Sequence, residues 1–289
     1  MQSRRAALAN LSALVASLTA SPLLQAAGAS ARMPSIFIGH GSPMNAISRN
    51  SFTDTLAAWG KRLPRPRAIV VVSAHWLSRG ATGVTSNPAP PTIHDFSGFP
   101  RELQEMTYPA KGDPRLAREI ASLIRSQRGV PTTEWGLDHG TWTVLHHLFP
   151  GAPVPVLQVS IDYDQGAAFH LAIGRELAAL REKGVLVVGS GNIVHNLRAT
   201  DRGTPEGQIA SRPWAAAFDE AVKAALSQRD DKALLAYENL DGAAMAVATP
   251  DHYWPFLYAL GAADAGTPPA TVFEGFHSGT LSMRCLQFG

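Results

Sequence analysis

Three histidines stand where a chain could gather metal-binding imidazoles. His40 closes the apolar run 35–38 inside Gly39-His40-Gly41-Ser42-Pro43. His75 follows the run 68–72 after Ser73-Ala74, and His195 ends Gly189-Ser190-Gly191-Asn192-Ile193-Val194-His195 after the run 185–188. Neutral imidazole is a good ligand for divalent first-row metals, and glycines beside it permit sharp turns and close backbone approach. No short metal motif such as His-Glu-x-x-His occurs. Spacing alone therefore leaves two readings open, a shared metal centre or separate loop histidines.

The three runs must be strands for this to work. The run 68–72 is wholly apolar and β-branched, as a strand buried on both faces of a parallel sheet requires, and 185–188 is similar. Further strands are predicted over 154–161, 271–276 and 281–288, the last two pairing near the C-terminus. Helices are predicted over 52–63, where Phe52, Leu56, Trp59 and Leu63 share a face, and over 115–127 and 141–149. Others follow over 167–183, capped by Gly184, and over 213–227, 232–240 and 251–260. The Pro-rich stretch 87–100 reads as an ordered loop. Strands alternating with helices predict an α/β fold in a single domain, with a central mixed, mostly parallel sheet flanked by helices. Ligands in such folds sit beyond the carboxyl ends of the strands, where the three histidines fall.

Composition narrows the choices. A formal charge of +2 over 289 residues argues against a nucleic-acid partner. The single cysteine, Cys285, excludes an intrachain disulfide and a cysteine-built zinc site, leaving histidine and carboxylate for any metal. Residues 1–32 differ from the rest. Met1-Gln2-Ser3-Arg4-Arg5 opens a mildly apolar stretch that ends in small residues, the layout of an export signal with a twin-arginine-like start. Asn10, Ser12, Ser17, Thr19 and Ser21 interrupt that stretch, which argues against a stable membrane span. The expectation is a periplasmic or exported protein; the alternative is a disordered extension on a cytoplasmic enzyme. The catalytic domain is expected over 33–289. Nothing in the sequence specifies an oligomeric state.

Several segments together resemble one family. Met33-Pro34-Ser35-Ile36-Phe37-Ile38-Gly39-His40-Gly41-Ser42-Pro43-Met44 is similar to the opening of class III extradiol ring-cleavage dioxygenases, in particular their 4,5-DOPA-extradiol-dioxygenase-like branch. The resemblance continues through Val72-Ser73-Ala74-His75-Trp76, His94-Asp95-Phe96-Ser97-Gly98-Phe99-Pro100 and Leu137-Asp138-His139-Gly140-Thr141-Trp142. It ends with Gly191-Asn192-Ile193-Val194-His195-Asn196-Leu197 and Thr249-Pro250-Asp251-His252-Tyr253, so it spans nearly all of 33–289 in order.

The resemblance implies metal ligands at His40 and His75, with His195 and His252 completing the cluster. The wider class uses two histidines and a carboxylate on Fe(II), so whether His252 or the neighbouring Asp251 serves as third ligand stays open. Zinc can occupy an all-histidine site but lacks redox chemistry. The implied substrates are a small aromatic diol and O2, with ring opening beside the diol. His195 is the implied acid/base, alone or together with a ligand role, and His139 the second.

Other residues are weaker candidates. His94, in the Pro-rich loop, and Trp76 could contact substrate; Trp76 and Trp142 could equally be core. His146 and His147 project in different directions from one helix, so one is expected exposed and the other packed. His170 and His277 read as structural. Ser42 and Ser190 are not in a nucleophile elbow. Two alternatives accompany the dioxygenase reading: a hydrolase using zinc-bound water, and a non-catalytic metal- or catechol-binding protein on the same fold.

Overall fold

The computed structural model describes residues 32–200 and 210–289. The expected export segment, up to residue 31, lies outside the described residues. Ten strands occur in chain order: β1 Ser35–Gly39, β2 Ala68–Ser78, β3 Thr82–Thr85, β4 Gly129–Thr132, β5 Val156–Asp162, β6 Val185–Gly191, β7 Ala270–Phe273, β8 Phe276–His277, β9 Leu281–Ser282 and β10 Cys285–Phe288. Eight form one sheet in the order β4-β3-β5-β2-β6-β1-β10-β7, and β8 pairs separately with β9. The centre, β5-β2-β6-β1, is parallel. The joins β3–β5, β1–β10 and β10–β7 are antiparallel. The sheet is thus mixed and mostly parallel at its core, as predicted.

Strand alternation divides the apolar side chains between two cores. Phe37, Val70, Val72 and Val187 pack on one face with Phe218, Phe256 and Leu257. Ile36, Ile38, Ile69, Val71 and Val188 pack on the other with Phe52, Leu56, Trp59 and Leu145. Full burial of such a side chain contributes about 1.5–3 kcal/mol. The four parallel strands are buried along almost their whole length, so they form a firm base for whatever their ends carry.

Differences from the predicted elements have local causes. The helix expected over 141–149 is His139–Leu148, because the Asp138 carboxylate accepts from Thr141 N at 3.2 Å and caps it two residues earlier. The stretch 167–183 is an α-helix over Ala167–Leu177 that tightens to a 3-10 helix over Ala178–Lys183, with Gly184 left-handed at φ 72°. The helix expected over 251–260 is a short 3-10 turn, Pro250–His252, followed by the helix Trp254–Ala262. β3 and β4 were not predicted, since Gly83 and Pro131 obscure four-residue strands. Among the described residues, no helix is long and apolar enough to cross a membrane.

Candidate metal centre

Because β2, β6 and β1 are neighbours, their carboxyl ends share one edge. His40 follows β1 directly, and its N–H donates to Gly191 O at 3.0 Å. His75 lies within the longer β2, where the register against β5 shifts between Val72 and Leu77. His195 follows β6, and His252 ends the 3-10 turn whose carbonyl accepts from Asn192 N at 2.8 Å. Two glycines allow this crowding. A Cβ on Gly191 would lie 2.2 Å from His252 O, and one on Gly140 would lie 2.6 Å from Ser73 Oγ and 2.9 Å from His75 Cδ2. Gly140 therefore lets the His139–Leu148 helix begin against the histidines.

Five histidines, His40, His75, His139, His195 and His252, line one cavity of about 800 Å³ with Asp95, Phe96, Phe99 and Leu281. The ligand atoms of His40, His75 and His139 lie within 4.8 Å of one another. The His252 ring centroid is 5.4 Å from His40 and 5.1 Å from His75. His195 stacks on His252 in parallel, 3.5 Å apart.

Hydrogen bonds fix which nitrogen His40, His139 and His252 present. Ser190 Oγ donates to Gly140 O at 2.5 Å, so it accepts from His40 Nδ1 at 3.0 Å. That leaves the lone pair of His40 on Nε2. His139 Nδ1 donates to Asp95 at 2.9 Å, and His252 Nδ1 donates to Asp251 at 2.5 Å, leaving Nε2 as the acceptor nitrogen of each. His75 Nδ1 faces Asp95 at 3.5 Å. His40 Nε2 and His75 Nε2 then face each other at 3.2 Å.

Burial, reinforced by His252, His139 and His195, holds His40 well below the usual histidine range. Burial and then His139 do the same for His75. Two neutral imidazoles presenting lone pairs at this distance repel unless a cation lies between them. The buried His252 Nε2 has no partner either, although buried polar atoms normally find one. The donor set fits one divalent ion, with carboxylates and a hydroxyl orienting the rings from behind.

The surrounding charges agree. Burial would raise Asp251, but the hydrogen bond and charge of His252 bring it down to about 2. Burial opposes ionisation of Asp95 too, yet its bonds to His139 hold it below the usual carboxylate range. Burial, with His252 next, takes the half-buried His195 down to about 2.

Two expected substrate contacts, His94 and Trp76, are not among the residues lining the histidine cavity. His94 Nε2 lies 3.0 Å from Met106 O, and its ring packs on Phe96 and Trp142. Trp76 stacks on Trp135 at 5.8 Å on the other side of β2, because neighbours on a strand point to opposite faces. Trp142 is fully buried and donates Nε1 to Ile93 O. His146 and His147 are both half-buried, with His147 Nε2 at 2.7 Å from Asn45 O. His170 bonds Tyr258 Oη and His277 packs on Phe52, both structural.

Sequence reasoning passed over Asp95, Ser190 and the wall of Phe96 and Phe99. The adjacency of Asp95 to His94 was the available signal: a carboxylate inside a histidine-bearing motif often orients another ligand.

Residues 30–282 match the model of a family described as the catalytic LigB subunit of aromatic ring-opening dioxygenase. The chain is 46% identical over 267 residues to a 4,5-DOPA dioxygenase extradiol of Escherichia coli K12, covering 90% of this chain and 96% of that one. It is 34% identical to a protein of the same name from Beta vulgaris, covering 87% and 95%. The crystal structure of an uncharacterised protein from Escherichia coli K12 superposes with a TM-score of 0.77 at 42% identity, covering 89% of this chain and all of that one. The chain belongs to this family of extradiol ring-cleaving dioxygenases, enzymes that open an aromatic ring with O2 at a metal site. The hydrolase and binding-protein alternatives are not favoured.

Proposed function

We propose that the enzyme opens a DOPA-like catechol, and that its five clustered histidines divide between metal and protons. His40, His75 and His252 hold the ion. The observation that carries this is the facing pair of Nε2 atoms at 3.2 Å, beside the sealed Nε2 of His252. His139 and His195 line the cavity and handle protons, His139 through the Nε2 left free by Asp95. His195, expected in both roles, is read as a proton carrier because it stacks behind His252 and is half-buried. The closer spacing of His139 to the first two histidines supports the competing assignment of His139 as third ligand.

The resident metal is read as Fe(II), which when bound supplies the redox chemistry that activates O2 toward an aromatic diol, whereas zinc binds such a site without it. The chain's residues do the rest. His139 and His195 accept protons from the diol hydroxyls and return one as the ring opens. Phe96 and Phe99, in edge-to-face contact at 5.2 Å, give the ring an apolar wall. The cavity volume of about 800 Å³ suits one aromatic substrate. The DOPA-like assignment is supported by the names of the curated relatives.

Anaerobic reconstitution with Fe(II), followed by catechols and O2, tests the reading. Stoichiometric O2 uptake with a coloured semialdehyde product is expected from Fe(II) enzyme and not from zinc enzyme. No uptake across a catechol panel sinks it.

We also propose that residues 1–32 export the catalytic domain 33–289, on the strength of Ser3-Arg4-Arg5 and the small-residue stretch before Arg32. The family match beginning at residue 30 supports that boundary. Replacing Arg4 and Arg5 with Lys is expected to trap the enzyme in the cytoplasm; unchanged fractionation would count against export.

A further inference from the structure

We propose that Asp95 is a positioning residue which sets the ring orientation and tautomer of two site histidines at once. It rests on the reading of His75 as a ligand and His139 as an acid/base. One carboxylate makes three contacts. Oδ1 accepts from His139 N at 2.9 Å, Oδ2 accepts from His139 Nδ1 at 2.9 Å, and Oδ2 also lies 3.5 Å from His75 Nδ1. The His75 and His139 rings are 3.9 Å apart between centroids, so both turn their Nδ1 edges toward the same oxygen.

The consequence is geometric. A carboxylate has no proton to give, so His139 Nδ1, hydrogen-bonded to it, must be the N–H; at 3.5 Å the same charge favours the proton of His75 on Nδ1, which turns both lone pairs to Nε2. For His75 that is the nitrogen facing His40 Nε2. For His139 it is the nitrogen left for substrate.

Asp95 also ties the Pro-rich loop to the start of the His139–Leu148 helix. The same loop carries Phe96, Gly98 and Phe99 into the cavity wall. One side chain therefore sets the metal side, the proton side and the aromatic wall in a common frame. A residue serving the loop alone would need only the bond to His139 N.

Asp95→Asn separates these roles. The amide can keep its oxygen on His139 N, but its NH2 then faces His139 Nδ1 and favours the opposite tautomer, with the proton on Nε2. The readout is long-range proton–nitrogen correlation on the full chain with labelled histidine, loaded with zinc to avoid paramagnetic broadening. Native protein is expected to show Nδ1–H on both His75 and His139. Asp95→Asn is expected to move the His139 proton to Nε2 and to weaken zinc binding by about tenfold or more. In the Fe(II) enzyme it should lower kcat by a similar factor with little change in KM. Asp95→Glu should restore the Nδ1–H tautomer and part of the zinc affinity.

Nε2–H on His139 in the native protein overturns the proposal, as does an Asp95→Asn protein with unchanged tautomer and zinc affinity. Should Asp95→Asn not fold, the native tautomers and Asp95→Glu decide. Failure of the native Fe(II) enzyme to consume O2 would instead strike the catechol reading and leave the tautomer result standing.

Discussion

At the carboxyl end of β2, two adjacent aromatic residues meet opposite fates. His75 turns into the cavity, 3.2 Å from His40 Nε2, while Trp76 lies on the far face against Trp135 and is 7% exposed. One side of the strand is lined by groups whose lone pairs lack partners; the other is closed by packing. Residue type does not separate them, because an indole suits an aromatic-substrate pocket as well as a core. The two-residue period of the strand does. Chemistry in this fold is assigned by which face of a strand end a side chain leaves from.

The sharpest way to break that contrast is to remove the cavity side. His75→Ala and His40→Ala are each expected to abolish stoichiometric metal binding, read by elemental analysis, and with it all O2 uptake. Either variant retaining a full equivalent of metal would show that the facing nitrogens are not the ligands.

The next effect divides the cavity histidines among themselves. His139→Ala should keep its metal while turnover falls by about 10²–10⁴-fold, the usual contribution of a general acid or base. His252→Ala should lose metal. The reverse pair of results would make His139 the third ligand, as its nitrogen spacing to His40 and His75 allows. Smaller again is Asp251→Asn. The carboxylate holds His252 Nδ1 at 2.5 Å, so its loss should weaken metal binding by about 10–100-fold without abolishing it, measured by competition with a chelator.

The parallel core was legible because burial on both faces writes continuous apolar runs, as at 68–72 and 185–188. Its edges were not: Gly83 and Pro131 hide β3 and β4, and only pairing with β5 and with each other makes them strands. His40, His75 and His195 could be read as strand-end residues from these same runs. His139 and His252 entered through family resemblance, since a helix start and a 3-10 turn carry no comparable periodic signal. Orientation was beyond reach for a different reason. Whether His94 faces the cavity depends on the course of an irregular loop, which brings its Nε2 to Met106 O across twelve residues.

The far side of β2 yields the smallest functional effect and a complementary stability effect. Trp76 packs so closely on Gly83 that a Cβ there would lie 2.7 Å from its ring. Trp76→Phe keeps an apolar aromatic ring but leaves part of that space unfilled. It should cost about 1 kcal/mol of stability, read as a lower urea midpoint. Metal content, kcat and KM for catechols should stay at native values, because neither the indole nor its partner Trp135 lines the histidine cavity. A shift in KM at unchanged stability would place Trp76 in contact with substrate and erase the division between the two faces. Loss of stability with native kinetics would confirm that β2 sends its chemistry one way and its packing the other.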